Sequence, residues 1–460
     1  MREGNRMSKC RNPNTPRAGS TRLPLSSRSR GHLPAAASHW LAMATIMSAG
    51  LAPAQDALRF SLAGDAAAAA RNLQQTPEAY TIKSGDFRLL ASPSLTVDWN
   101  SNINDAHTGA LEDFILWPTL GLDMSYPVTA NNVLRLNGTF GYQEYLEHSD
   151  YSRWTAQSGS ALSYDIYVKD FWINLHDLIS CLENSSQQAA VANTGLFGYF
   201  QNTAGVNTTW DLEDVTLSLG LDYQTYLATS AQFEYTDHSS EFIVARGGFK
   251  FYPTLTAGLE ATVAPTTYDQ HILNNNLNYS AGVYGDWHPG TFLDVQPRVG
   301  YTYYQYDQTS TVIPAVNQGL WYCDLTIKHD LTQAVSYTLS AGHEFLLGIY
   351  GNNIEDWYAR TTITWNIIRN LTLTTSLSYE NGTQGIANTT GTASTTGTHT
   401  LTPTPEENFN WLTGGLGLKY PFTKRFTLAL NYQFTLRASN YTADEYAQNI
   451  VGLTLTYSLQ

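Results

Sequence analysis

The side chains that could do chemistry in this chain are charges set one residue out of phase with apolar runs. Asp98, Asp123, Arg135, Asp165, Asp222, Arg246, Lys250, Glu260, Asp286, Asp294, Arg298, Asp324, Lys328, Arg360 and Lys419 all follow this rule. Around Arg298, Val295, Val299, Tyr301 and Tyr303 take one phase, and Asp294 and Arg298 take the other. Successive side chains of a strand point to opposite faces, so the pattern gathers ionisable groups on one surface and apolar groups on the other. Acids and bases are nearly balanced in the set. The chemistry it supports is electrostatic: a wet lining that passes small polar solutes, with at most a weak bias toward cations.

Catalytic and metal-binding patterns are missing from the sequence. G-x-S-x-G, H-E-x-x-H and a Walker loop do not occur. His176-Asp177 and His329-Asp330 are neighbours, but adjacent strand residues point apart, and both pairs fall near expected strand ends as solvated turn residues. His343 lies near the loop end of an apolar phase, as an interface residue. Beyond residue 54 only Cys181 and Cys323 remain, which makes neither a disulfide scaffold nor a metal site. No cofactor is expected.

The elements that must position the charges are strands. From Phe87 onward the hydrophobic period is two, in runs such as Phe426, Leu428, Leu430, Tyr432 and Phe434. About eighteen such runs follow (sixteen is the lower count), most of them 9 to 14 residues long. Tight turns at 127–132, 169–170, 213–214, 253–254, 288–291, 330–334, 368–370 and 421–424 alternate with longer segments. Short and long connections therefore collect at opposite ends, as in a closed antiparallel transmembrane barrel. Trp99, Trp287, Trp357, Trp365, Tyr126, Tyr252, Tyr379, Tyr420 and Tyr457 cap apolar runs where interfacial girdles belong. Tyr126-Pro127, Tyr252-Pro253 and Tyr420-Pro421 read as punctuation: the ring suits an interface, and proline cannot donate to a ladder. Closure also removes the sheet edges that so apolar a chain would otherwise expose.

Composition agrees. Of 460 residues, 14% are charged, against roughly 25% in soluble domains, and the mean hydropathy is −0.27. Residues 1–54 carry eight of the 25 Lys and Arg but one of the 39 Asp and Glu, and end in an apolar stretch and Ala52-Pro53-Ala54. They read as a signal peptide with a long basic n-region. Residues 55–86, with the Ala-rich stretch 64–75, read as a periplasmic tether holding a short helix, and 87–460 as the barrel. The chain beyond residue 54 has a net charge of −21, which makes nucleic acid a poor partner.

The stretches SLAGDAAAAARNL, YTIKSGDF and LTVDWNSNIND resemble the head of the beta-barrel porin 2 class of bacterial outer-membrane proteins. Trp99-Asn100-Ser101-Asn102-Ile103 is a variant of that class's first-strand ending, with Ser where Asp is common. The last residues, NIVGLTLTYSLQ, look like a closing-strand signal, although they end in Leu459-Gln460 instead of an aromatic residue. The resemblance implies an outer-membrane location, contact with membrane lipid and lipopolysaccharide, and insertion by the barrel-assembly machinery. The expected function is a porin-like channel for passive diffusion of small polar solutes. The alternatives are the barrel of an extracellular polysaccharide export system and, third, a barrel enzyme with a rim active site. Segments 380–408 and 178–199 are the expected loops that could narrow the pore, and no trimer face is marked.

Overall fold

In a computed structural model of the chain, residues 80–182, 188–311, 313–368, 370–389 and 401–459 are described. The signal-peptide and helical-tether expectations for residues 1–79 lie outside them. A short strand, β1 (Ile82–Ser84), precedes the barrel. Next come β2 (Phe87–Asn100), β3 (Asp113–Thr129), β4 (Asn132–Tyr145), β5 (Arg153–Val168), β6 (Phe171–Leu182) and β7 (Tyr199–Leu212). They are followed by β8 (Val215–Ala228), β9 (His238–Tyr252), β10 (Leu255–Tyr268), β11 (Asn276–Gly290), β12 (Leu293–Tyr306) and β13 (Gln318–His329). The last six are β14 (Val335–Leu347), β15 (Asn353–Ile368), β16 (Leu371–Thr389), β17 (Leu401–Pro421), β18 (Phe426–Ser439) and β19 (Tyr446–Tyr457). Each of β2 to β19 pairs antiparallel with its chain neighbours, and β19 returns to β2 through Ile450↔Asn100 to Thr456↔Ser94. The result is a closed ring of eighteen strands, with β1 hairpinned onto the short-turn end of β2.

The two phases meet different surroundings. On β9, Glu241, Ile243, Ala245, Phe249 and Phe251 are exposed, whereas His238, Ser240, Phe242 and Val244 are buried. Leu219, Leu221 and Ile243 are about half exposed on the outward face, the wrong sign for a water-soluble surface and the right one for lipid. Among the described residues no helix is long and apolar enough to cross a membrane. The crossing is made by strands.

Local geometry follows the turn chemistry. Lys169-Asp170 and Glu213-Asp214 close two-residue hairpins, with Lys169 and Glu213 at φ of 54° and 59°. Such positive angles suit the primed turns that match strand twist. Gly159, at φ 86°, sits where the β5–β6 register shifts between Ala156 and Ser160, a conformation that side chains disfavour. Proline does not end strands as abruptly as expected. Pro127 lies inside β3 and is followed by a register shift before Thr129, so the ladder bulges around the missing donor.

Two wall features differ from the expected plan. Segment 380–408 is mostly strand: β16 and β17 pair as far as Thr389↔Leu401, and only 390–400 of the expected loop lies outside the described residues. Between β13 and β14 the ladder ends at Cys323↔His343, although β12 continues along β13 to Tyr304↔Gln318. The upper end of β14 follows β15 inward instead, where Phe345 meets the inward ring of Tyr304 at 5.0 Å.

Candidate functional site: the barrel interior

All fifteen expected lining charges lie on the phase opposite the exposed apolar one. Several are joined into chains by hydrogen bonds. Arg135 of β4 pairs with Asp165 of β5, which accepts from Trp172 Nε1 at 3.0 Å and from Asn174 Nδ2 at 2.7 Å. Asn174 Oδ1 lies 2.9 Å from His176 Nδ1, and His176 Nε2 lies 3.0 Å from Asp222 Oδ1 on β8. His176 is therefore a buried wall residue, not a solvated turn residue. With both ring nitrogens engaged, it keeps none for general-base work.

A second group centres on Glu260 of β10. It receives Arg298 at 3.0 Å and the Tyr322 hydroxyl at 3.0 Å, and Arg246 lies at 3.3 Å. Further round, the Tyr358 hydroxyl donates to Asp324 at 2.5 Å, and Arg360 pairs with Glu380 at 2.6 Å while stacking over the Tyr358 ring. Nearer the short-turn end, Lys250 meets Asp211 at 2.6 Å, and His288 lies between Asp286 and Asp294, at 3.2 and 3.4 Å. Lys328 stands opposite Asp294 in the ladder, and Lys419 opposite Thr372 and Ala429. Asp98 and Asp123 make no ion pair among the described residues. Apart from Asp286–His288 within β11, the lining pairs join neighbouring or near-neighbouring strands, because period two brings the inward residues of adjacent strands side by side.

The upper half of the interior is filled. Val191 and Phe197 from the β6–β7 connection, Phe233 and Tyr235 from the β8–β9 connection, and Ile349 from the β14–β15 connection are all buried. They belong to one apolar cluster with the inward Tyr226, Tyr304, Phe409 and Trp411 of the wall. Phe197 meets Phe233 edge-on at 5.0 Å, and Tyr199 stacks on Tyr226 at 4.9 Å. Aromatic burial of this kind is strongly stabilising. Lower on the same strands the inward residues Asp294, Gln296 and Arg298 are only partly covered, whereas Thr302, Tyr304 and Tyr306 are buried.

Segment 188–198 is what crosses the interior. Its Ala189 and Ala190 carbonyls accept from Arg437 Nε of β18 and Gln384 Nε2 of β16, each at 2.8 Å. From β6, β16 is eight steps round a ring of eighteen. Asn193 adds bonds to Asp105 O at 3.0 Å, Ala443 O at 2.5 Å and Asp444 Oδ1 at 2.9 Å. Behind the contact, Arg437 Nη2 pairs with Glu407 Oε1 at 2.8 Å, and Glu407 also accepts from Gln384 at 2.7 Å and Ser439 at 2.5 Å. Arg437 and Glu407 are both buried. In the loop beside them, burial and then the nearby Glu407 charge raise the Asp444 carboxyl above its ordinary value of 3.8. Desolvation does the same to Asp237 in the β8–β9 connection.

Glu344, Asp356, Glu380, Glu407 and Arg437 also occupy the inward phase, and the sequence reading missed all five. Their signal is there: Asp356 and Tyr358 continue the phase of Arg360, and Glu407, Phe409 and Trp411 continue that of Lys419. The strands run further upward than the apolar pattern marks, because these inward positions are apolar or paired instead of plainly polar.

No protein-family model matches the sequence, and no curated protein matches it. Among solved structures it is similar to OpdL of Pseudomonas aeruginosa, at 14% identity over 82% of this chain and 100% of that one, with a TM-score of 0.43. OccAB3 of Acinetobacter baumannii is similar at 10% identity, over 82% and 99% of the two chains, with a TM-score of 0.43. OccK2 (OpdF) of Pseudomonas aeruginosa, solved in complex with glucuronate, gives 10% identity, 81% and 98% coverage and a TM-score of 0.44. These likenesses are too distant to bear on what the chain does. The fold stands on its own closed ladder.

Proposed function

We propose that this protein is an outer-membrane channel for small polar solutes, narrowed at its long-loop end by segment 188–198. The observation that carries the reading is the ring of eighteen strands, apolar outside and ion-paired inside, with one segment held across it by Arg437 and Gln384. Rings of this size enclose an aqueous passage unless something fills it. The apolar outer face meets lipid, and the barrel-assembly machinery inserts the chain. Lipopolysaccharide surrounds the long-loop end. The fifteen lining charges, from Asp98 to Lys419, are the pore lining of this reading, and residues 1–54 and 55–86 its signal peptide and tether. Segment 188–198 meets the far wall through backbone carbonyls, a contact that can be broken without unfolding a strand. The function is transport, not catalysis.

The test is single-channel recording of the refolded mature chain in a planar bilayer, with folding checked by a heat-dependent gel shift. The native chain should give small or infrequent steps, and a chain with 188–198 replaced by a short Gly-Ser linker should give larger, longer ones. A folded linker variant that stays silent would sink the channel reading.

A further inference from the structure

We infer that Asp98 biases this interior toward cations, as an inward carboxylate near the long-loop end of β2 that its own wall leaves uncompensated. This rests on the channel reading for its consequence, but not for its geometry. Asp98 lies on the inward phase of β2 and is partly exposed there. Its ladder partners are Ile115 on β3 and Gly452 on β19, neither of them able to pair with a carboxylate side chain. A Cβ at Gly452 would collide with Asp98 Oδ1, so the carboxylate lies over that glycine.

Several other inward acids contrast with it. Asp165 has Arg135, Glu260 has Arg246 and Arg298, Glu380 has Arg360, and Glu407 has Arg437. Asp222 has His176, and Asp324 has Arg298 opposite in the ladder as well as the Tyr358 hydroxyl. Asp123, lower on the same wall, stands opposite Leu90, with Arg88 diagonally across the ladder. A paired charge presents a dipole that fades within a few ångströms, whereas a single carboxylate beside a low-dielectric wall projects its field into the passage. Small amines and guanidinium-bearing solutes are the class such a site favours, and anions the class it slows.

The first measurement is the reversal potential in a KCl gradient at low ionic strength. Asp98→Asn should lower the cation-over-anion permeability ratio by roughly tenfold, since one unit charge about 5 Å from a passing ion in water favours a cation and disfavours an anion by about three- to fourfold each. Glu241→Gln neutralises an outward acid and should leave the ratio unchanged. An unchanged ratio in Asp98→Asn, or an equal drop in Glu241→Gln, overturns the inference. A second measurement needs no current. In a chain with Cys181 and Cys323 replaced by Ser, Thr96→Cys places a thiol two residues from Asp98 on the same face. A cationic thiosulfonate should modify it faster than an anionic one, and Asp98→Asn should remove the difference. Equal rates with Asp98 present overturn the inference even if the barrel proves silent, so its failure and that of the channel reading remain distinguishable.

Discussion

The upper and lower halves of this interior are lined by the same strands and solve opposite problems. Below, Asp286, Asp294, Lys250 and Lys328 remain partly open to water, as charges in a passage should be. Above, the inward positions of those strands become Ser240, Phe242, Tyr304 and Tyr306, all buried. The change happens within single strands without a change of phase. A barrel wall thus has a lining specified position by position, and one strand can face water at one height and a packed core at another.

The largest test of this contrast is to remove the ion pair behind the crossing segment. Arg437→Gln leaves Glu407 buried without its cation, and breaking a buried pair from one side costs about 3–5 kcal/mol. The upper half should then behave like the lower: channel openings become frequent and segment 188–198 becomes cleavable by protease in the folded barrel. Replacing both partners with Met should cost less, since no lone charge is left. Next, Phe197→Ala removes a buried ring from the apolar cluster, at about 3 kcal/mol. It should loosen the segment in the same assay while leaving the heat-dependent gel shift of the ring in place.

A smaller effect is expected from pH. Asp444 has a raised folded-state value, so it favours the closed arrangement at acid pH, below the unfolded value of 3.8, and loses that contribution as pH rises through the raised value. Open probability should therefore rise with pH across the upper carboxylate range in the native chain, and this part of the dependence should disappear in Asp444→Asn. A titration that is identical in the two chains would remove Asp444 from the closure. Smallest of all, His288→Gln in the open lower half should change stability by less than about 1 kcal/mol, because the ring is half exposed between its two carboxylates.

The wall was legible in the sequence, and the filling was not. Alternation along runs such as Val215 to Tyr223 shows strand, phase and approximate length, since each position decides between lipid and interior on its own. The crossing of 188–198 depends on Ala189 and Ala190 carbonyls, which have no side-chain signature, and on Arg437, 248 residues away. His176 was misread because its neighbour Asp177 is the wrong partner: Asn174, two residues back on the same face, and Asp222, one strand beyond the ladder partner Gly205, take its ring nitrogens instead. Segment 178–199 was one of two loops expected to narrow the pore. Its part 188–198 does cross the interior, whereas most of 380–408 continues the wall.

The interrupted ladder between β13 and β14 gives the ring a weak link. Above Cys323↔His343, Gln318–Tyr322 lack strand partners on that side, and the His343 ring stands in for the ladder by donating from Nδ1 to the Trp321 carbonyl at 2.8 Å. That ring is wedged between Trp321 and Trp357, at 4.7 and 4.4 Å. A hoop under tension parts where its cross-links are few, and this seam has only as many ladder pairs as the β19–β2 closure, so an outward load on the wall bears on this imidazole. Amide exchange in Gln318–Tyr322 would report that strain.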